Sequence, residues 1–258
     1  MTGPRPGKRV TDIDPSRLAL LNAGAIEAAT LTECLAVDFA ALMRATLPEP
    51  WEVAIPAMEG AAQEGISRRM VLAAQLIAER PGPGIVEMLQ GHPSDTLRGW
   101  ACFMIGQARD ISMADRLAAI RPLADDPHFG VREWSWMAVR PHIAEDPDTA
   151  IALLSHWAGE PSERLRRFAS EAIRPRGVWC AHLRLLRQQP EKALPVLEPL
   201  RADPAVYVQD SVGNWLNDAS KDQPDWVRAL CARWSVQSPT AATARICKRA
   251  LRTIDSKG

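Results

Sequence analysis

The 258-residue chain balances 31 Lys+Arg against 31 Asp+Glu, is 47% hydrophobic and carries 5 Cys. A large core can form, but no net charge recommends a polyanionic partner, so such a role needs a local basic face. Cys34, Cys102, Cys180, Cys231 and Cys247 show no metal-ligand spacing and no apolar run reaches about 18 residues, which argues against a zinc module, a disulfide framework and a membrane span and fits a cytoplasmic protein with reduced thiols.

Ala, Leu and Arg dominate, runs of β-branched residues are scarce, and no strand is expected. Residues 1–14 read as a flexible arm without a signal-peptide core, and residues 15–258 as a single domain. Helices are predicted over Ser16–Ala29, Leu31–Arg44, Trp51–Glu64 and Arg68–Arg80, followed by a Gly/Pro-rich turn at Arg80–Gly84. From there a phrase recurs: HPSDTLRGWACFMIG from His92, DPHFGVREWSWMAVR from Asp126, EPSERLRRFASEAIR from Glu160, DPAVYVQDSVGNWLN from Asp203 and, more weakly, SPTAATARICKR from Ser238. Its prolines, Pro93, Pro127, Pro161, Pro204 and Pro239, are spaced by 34, 34, 43 and 35 residues. A polar residue followed by Pro stops one helix and starts another.

Four residues past the first four prolines stand Leu97, Val131, Leu165 and Val208. Seven past stand Trp100, Trp134 and Phe168, with the fourth copy shifted by one to Val212; eleven past stand Met104, Ala138, Ala172 and Trp215. These offsets trace one helical face. Second helices are predicted between the phrases at Met113–Leu123, Pro147–Ala158 and Pro224–Val236, with an extra turn or split helix in Cys180–Arg201. Two helices per unit of variable length make an all-α, right-handed superhelical solenoid of HEAT-like helical repeats. The period of 34 also suits tetratricopeptide repeats, whose small and aromatic signature positions are absent.

Ser162–Arg187 holds seven arginines against two glutamates. Arg98, Arg132 and Arg166 stand five residues after successive prolines, where stacking would align them as a ladder for phosphate oxygens. The alternative is a solvated face, or pairing with the preceding repeat's acids. Trp100, Trp134, Trp157 and Trp234 fit core positions, whereas Trp136, Trp179 and Trp215 are left as candidates to lie against a sugar or a cationic base. Glu171, Asp218 and Glu133 are the candidate catalytic carboxylates, because helices in neighbouring units approach to about 10 Å; a helix-surface ion pair is the competing reading. No nucleophile–His–acid set, phosphate-binding Gly loop or metal motif is present, so neither cofactor nor metal is expected.

The stretches ERLRRFASEAIRPRGVW (Glu163–Trp179) and YVQDSVGNWLNDASKDQPDWV (Tyr207–Val227), with VREWSWMAVRPHI (Val131–Ile143) before them, resemble the AlkC/AlkD-type DNA alkylation-repair glycosylases, closest to the AlkC branch. The resemblance covers residues 125–235 well and 15–90 loosely. It implies a C-shaped solenoid that grips duplex DNA by its backbone and hydrolyses the N-glycosidic bond of cationic alkylated bases such as 3-methyladenine. By motif, Glu171 and Asp218 become the catalytic pair, with Glu133 third. Arg166, Arg167 and Arg174, with Lys221, become backbone contacts by the same motif and Trp179 a contact to the lesion or its sugar; Arg132 and Arg176, with Trp136 and Trp215, stand beside them as further DNA-binding candidates from repeat position and residue type. Ala172 and Ile173 replace a Gly and a polar residue of the family phrase, and Gln209 and Asp210 replace a basic pair. A catalytically silent DNA-binding relative and a HEAT-repeat protein-interaction scaffold, with no protein partner named, are the alternatives.

Overall fold

The computed structural model describes residues 9–47, 53–79, 82, 84–177 and 179–255. Among these it is all-helical, with no strand and no helix long and apolar enough to cross a membrane. The tertiary contacts separate two compact units, residues 1–111 with 126–138, and residues 112–125 with 139–258.

The first unit holds α1 (Pro15–Asn22), α2 (Leu31–Ala36), α3 (Phe39–Thr46), α4 (Ala54–Gly60), α5 (Ile66–Ala78), α6 (Ile85–Gln90) and α7 (Asp95–Gln107). The second holds α8 (Met113–Ala124), α10 (Pro147–Trp157), α11 (Glu163–Ala172), α12 (Arg184–Gln188), α13 (Leu194–Leu197), α14 (Val206–Ala219), α15 (Pro224–Gln237) and α16 (Ala241–Asp255). The long α9 (Phe129–Glu145) gives its residues through Ala138 to the first unit and the remainder to the second.

The five repeat helices α7, α9, α11, α14 and α16 each begin two residues after the repeat proline, as the phrase predicts. The ring of Pro has a fixed φ and no N–H to satisfy, so it suits a helix entry. Leu97, Val131 and Val208 are 0% exposed and Leu165 2%; Trp100 and Val212 are 0%, Phe168 2% and Trp134 3%. The predicted stripe is therefore the core. At about 1.5–3 kcal/mol per fully buried large apolar side chain, these positions supply much of the drive that offsets chain ordering. The intervening α8, α10 and α15 fall within a residue of their predicted bounds, and Cys180–Arg201 is split into α12, a 3-10 turn at Pro190–Ala193 and α13.

The predicted helices before residue 80 fit less well. The segment foreseen as Ser16–Ala29 stops at Asn22. Gly24 adopts φ +70°, and the Gly24 and Ala25 N–H groups donate to the Leu21 and Leu20 carbonyls, which satisfies the helix end. The segment foreseen as Leu31–Arg44 breaks between α2 and α3. There Asp38 accepts from the Ala41 N–H at 3.0 Å, and Arg69 donates to the Leu35 and Val37 carbonyls that the break frees. Trp51, Arg80 and most of the Arg80–Gly84 turn lie outside the described residues, as do the first eight residues of the expected arm.

A recurring clamp joins the repeat helices to their entry turns. Arg98 Nη1 donates to the carbonyls of His92 (2.8 Å) and Pro93 (2.9 Å). Arg132 Nη1 does the same to Asp126 and Pro127, and Arg166 Nη1 to Glu160 and Pro161. In the fourth copy Gln209 Nε2 reaches Asp203 and Pro204. Two of these arginines also grip the acid that opens the following repeat: Arg98 Nε lies 2.9 Å from Asp126, and Arg166 Nε 2.6 Å from Asp203.

Candidate active site

The second unit brings Glu171 and Asp218 together. Glu171 sits in the last turn of α11 and Asp218 near the end of α14, and each is 4% exposed. Both carboxylates converge on one guanidinium, that of Arg174, just past the end of α11. Arg174 Nη1 donates to Glu171 Oε1 at 2.7 Å, while its Nε and Nη2 donate to Asp218 Oδ2 at 3.0 and 2.6 Å. Arg167, one turn before Glu171, places Nη2 3.6 Å from Glu171 Oε2, and its guanidinium lies over the Tyr207 ring, 4.8 Å from the centroid. Lys221 Nζ donates to Asp218 Oδ1 at 3.0 Å.

Two buried hydroxyls complete the arrangement. Ser211 Oγ donates to Glu171 Oε2 at 2.6 Å, and Ser170 Oγ lies 2.8 Å from Ser211 Oγ. Ser170 donates in turn to the Arg167 carbonyl. Burial pushes the Glu171 carboxyl up, but the Arg167 and Arg174 charges and the Ser211 hydrogen bond outweigh it and hold the group below its ordinary value. Glu171 is thus an anion at neutral pH. Burial works against the Arg174 charge, and the two carboxylates reverse that and raise its pKa.

The loop after α11 is tied to the same place. Arg140, 2% exposed, donates to the carbonyls of Ala172 (2.9 Å), Arg174 (2.5 Å) and Ala181 (3.1 Å). Leu183 N–H closes the loop on the Pro175 carbonyl at 3.0 Å. Within it Trp179 has φ +58° and is 53% exposed. A bulky L-residue in the left-handed region is uncommon and costs on the order of 1–3 kcal/mol, and here it coincides with a solvent-facing indole.

The remaining predicted residues are placed differently. Trp215 is 0% exposed and its indole N–H donates to the Ile173 carbonyl at 3.0 Å. It occupies the core offset shared with Met104, Ala138 and Ala172. Trp136 is 3% exposed and donates to Glu133 Oε2 at 2.8 Å within α9. These indoles have almost no surface to offer a nucleic acid. Glu133 and Arg132 belong to the first unit, where Arg132 clamps its own entry turn. Arg166 is engaged by two carbonyls and Asp203. Arg176 and Arg187 both grip Asp222, whose carboxyl is brought down to about 2, mainly by the Arg187 hydrogen bond and also by Arg176. Of the ladder arginines, Arg98 and Arg166 pair with the acid that opens the following repeat, and Arg98 also pairs with Glu27 upstream of it. Sequence reasoning missed Ser211, Ser170 and Arg140. Ser211 lies four residues past Tyr207 on the face that α14 turns to α11, a spacing visible once the pairing of the helices is known.

Among the described residues no group of three His, Cys, Asp or Glu could hold a metal ion. The site is a buried pair of carboxylates cross-linked by arginine, and the loop that follows α11 carries an exposed indole. Three cations, Arg174, Arg167 and Lys221, meet these two carboxylates.

Comparison with known proteins gives concordant matches. The sequence model described as DNA alkylation repair enzyme matches residues 131–245, and that of HEAT repeats matches residues 82–174. The uncharacterized protein YhaZ of Bacillus subtilis (strain 168) is 40% identical over 124 residues, which span 48% of this chain and 34% of that protein. Among solved structures, the Pseudomonas fluorescens alkylpurine DNA glycosylase AlkC, bound to DNA containing an abasic site analog, aligns with a TM-score of 0.65 at 21% identity. That alignment covers 96% of this chain and 65% of the AlkC chain. AlkD2 from Streptococcus mutans aligns with a TM-score of 0.62 at 20% identity, over 80% of this chain and 100% of that one. These likenesses show a shared fold, and the chain spans about a third of the curated relative and about two thirds of the AlkC chain.

Proposed function

We propose that the chain, whose residues 131–245 match the model described as DNA alkylation repair enzyme, is a DNA glycosylase that hydrolyses the N-glycosidic bond of cationic alkylated bases in duplex DNA. The observation that carries this reading is the convergence of Glu171 and Asp218, from adjacent repeat helices, on Arg174.

The chemistry asks little of the protein. An alkylated purine with a positive charge leaves with the electron pair of the C1′–N bond and becomes neutral, so no strong general acid is needed. Positive charge then develops on the sugar, and a carboxylate held ionised stabilises it. Water adds to C1′ and gives up a proton, for which a carboxylate of the pair is the proposed acceptor. Arg174 and Ser211 fix the carboxylate orientation, so little reorganisation is required as the charge forms. The Trp179 indole offers a π-face to a cationic base or an apolar face to its sugar.

The test is release of 3-methyladenine or another cationic base from methylated duplex DNA, with wild type and Glu171→Gln. Glutamine keeps the shape and loses the charge. The proposal requires release by wild type, a fall of at least about 100-fold in the variant, in line with the loss of one electrostatic stabiliser, and DNA binding within a few-fold. Salt-sensitive DNA binding without base release supports the silent DNA-binding relative instead, and absence of both supports the protein-interaction scaffold.

A further inference from the structure

The arginines expected to hold phosphate are largely spent inside the fold: Arg166 on Asp203 and two carbonyls, Arg176 on Asp222. A different row of cations lies on α16. Arg245, Arg249 and Arg252 recur at i, i+4 and i+7, which places them on one helix face.

Helix α14 holds this row in place. A Cβ at Gly213 would sit 2.9 Å from Cβ and Cδ of Arg249, so the bare glycine leaves the groove in which the Arg249 stem lies. Asn214 Oδ1 accepts from Arg249 Nε at 2.9 Å. Asp210 Oδ1 takes Arg245 Nη1 at 2.6 Å and Arg249 Nη1 at 3.1 Å. One carboxylate shared by two guanidiniums leaves an excess of positive charge. Arg252, a turn further on, is exposed and makes no hydrogen bond or ion pair among the described residues. Besides partial burial, Arg249 and Arg174 act on its charge as like-charged neighbours, while Asp218 and Asp210 oppose them. Asn217, next to Asp218 on α14, donates to the Ala250 carbonyl at 3.0 Å and to Thr253 Oγ1 at 2.9 Å, which ties the end of α16 to the Arg174–Asp218 pair.

We propose that Arg245, Arg249 and Arg252 form a phosphate-binding ridge that holds the backbone of duplex DNA beside the Glu171–Asp218 pair, with Arg252 as its anchor. The inference rests on the DNA reading above and assigns the grip to residues outside the family-like phrases. Guanidinium forks match phosphate oxygens, and two of the three are pre-oriented by Asp210 and Asn214. The ridge also accounts for how a chain with no net charge can meet a polyanion: two guanidiniums share one carboxylate and a third, Arg252, stands beside them on the same face.

The experiment is fluorescence anisotropy of a labelled, lesion-free duplex over a salt series. It compares wild type, Arg252→Ala, the double variant Arg249→Gln/Arg252→Ala, and Arg228→Ala on α15, whose partner Asp225 is exposed. Each lost phosphate contact flattens the log K against log salt slope by about 1. The expected result is a roughly 3- to 10-fold weaker complex at low salt for Arg252→Ala, a further loss in the double variant, and no change for Arg228→Ala. Thermal unfolding checks that the double variant is folded, and Arg252→Ala alters only an exposed side chain. If wild type binds and both variants keep its slope, the ridge is wrong and the DNA reading stands. If wild type does not bind the duplex at any salt, both fall.

Discussion

Replacing Arg174 by Met keeps the aliphatic stem and removes the charge that joins two buried carboxylates. Three charge-assisted hydrogen bonds disappear, of 2.7, 3.0 and 2.6 Å. Removing one partner of a buried pair costs about 3–5 kcal/mol, because the remaining charges are stranded. Arg167 at 3.6 Å and Lys221 at 3.0 Å still face the two acids and offset part of this. We therefore expect a loss of about 3 kcal/mol at pH 7. The Glu171 pKa is lowered in the folded protein, so its ion pairs contribute stability above the unfolded-state value near 4.5, and that contribution is lost as pH falls through the lower folded value. In the variant Glu171 loses one of the charges that hold its pKa down and protonates more readily, so acid relieves its stranded charge. The difference from wild type should shrink to about 1 kcal/mol near pH 4. Urea titrations followed by far-UV circular dichroism at both pH values measure it. With a slope of about 3 kcal/mol per M for a chain of this size, the midpoint should drop by about 1 M at pH 7 and by roughly a third of that at pH 4. A drop below about 0.3 M at pH 7, or equal drops at both, would refute the claim that Arg174 neutralises this pair.

Ser211→Ala removes a hydrogen bond that helps keep Glu171 ionised, so the acidic limb of the base-release profile should move to higher pH with a roughly 10-fold loss of rate; an unmoved limb would leave Ser211 a packing residue only. Asp222→Asn uncouples Arg176 and Arg187. Because Asp222 is held at about 2 instead of 3.8, wild type should lose this contribution as pH falls from about 4 towards 2, whereas the variant lacks it throughout. Its size is on the order of 1 kcal/mol at neutral pH after solvent screening, and parallel acid-unfolding curves for the two proteins would contradict it.

The repeat architecture was legible because its signal is doubly encoded. A proline sets each helix entry, and the offsets of 4, 7 and 11 name the same buried face. Trp100, Val131 and Leu165 occupy the positions this pattern gives them. Glu171 and Asp218 were found through motif resemblance, and the helices that carry them do pack side by side. What α16 and the fifth-position arginines do was not legible. A guanidinium suits a phosphate oxygen and a backbone carbonyl equally well, so residue type alone cannot separate Arg252 from Arg166. The acids that open the following repeats, Asp126 and Asp203, were the available clue. The same holds for Trp136 and Trp215: an indole with an internal acceptor, Glu133 or Ile173, is a core residue, and the acceptor becomes visible only in three dimensions. Before residue 80 the apolar period continued through Val37–Asp38, and side chains from elsewhere, Asn22 and Arg69, stabilise the interruption.

The clamp arginines also give the array a direction. A repeat that carries Arg at the fifth position presents a cation forward, and one that opens with Asp presents an anion backward. At the two joints where both halves are present, Arg98 with Asp126 and Arg166 with Asp203, the neighbours fit in one order, as keyed tiles do. At the fourth repeat the key changes: Gln209 replaces the arginine just where the next phrase opens with Ser238 instead of an acid. A repeat transplanted, duplicated or deleted within this chain must preserve both halves of each key, or it buries a charge with nothing to meet it.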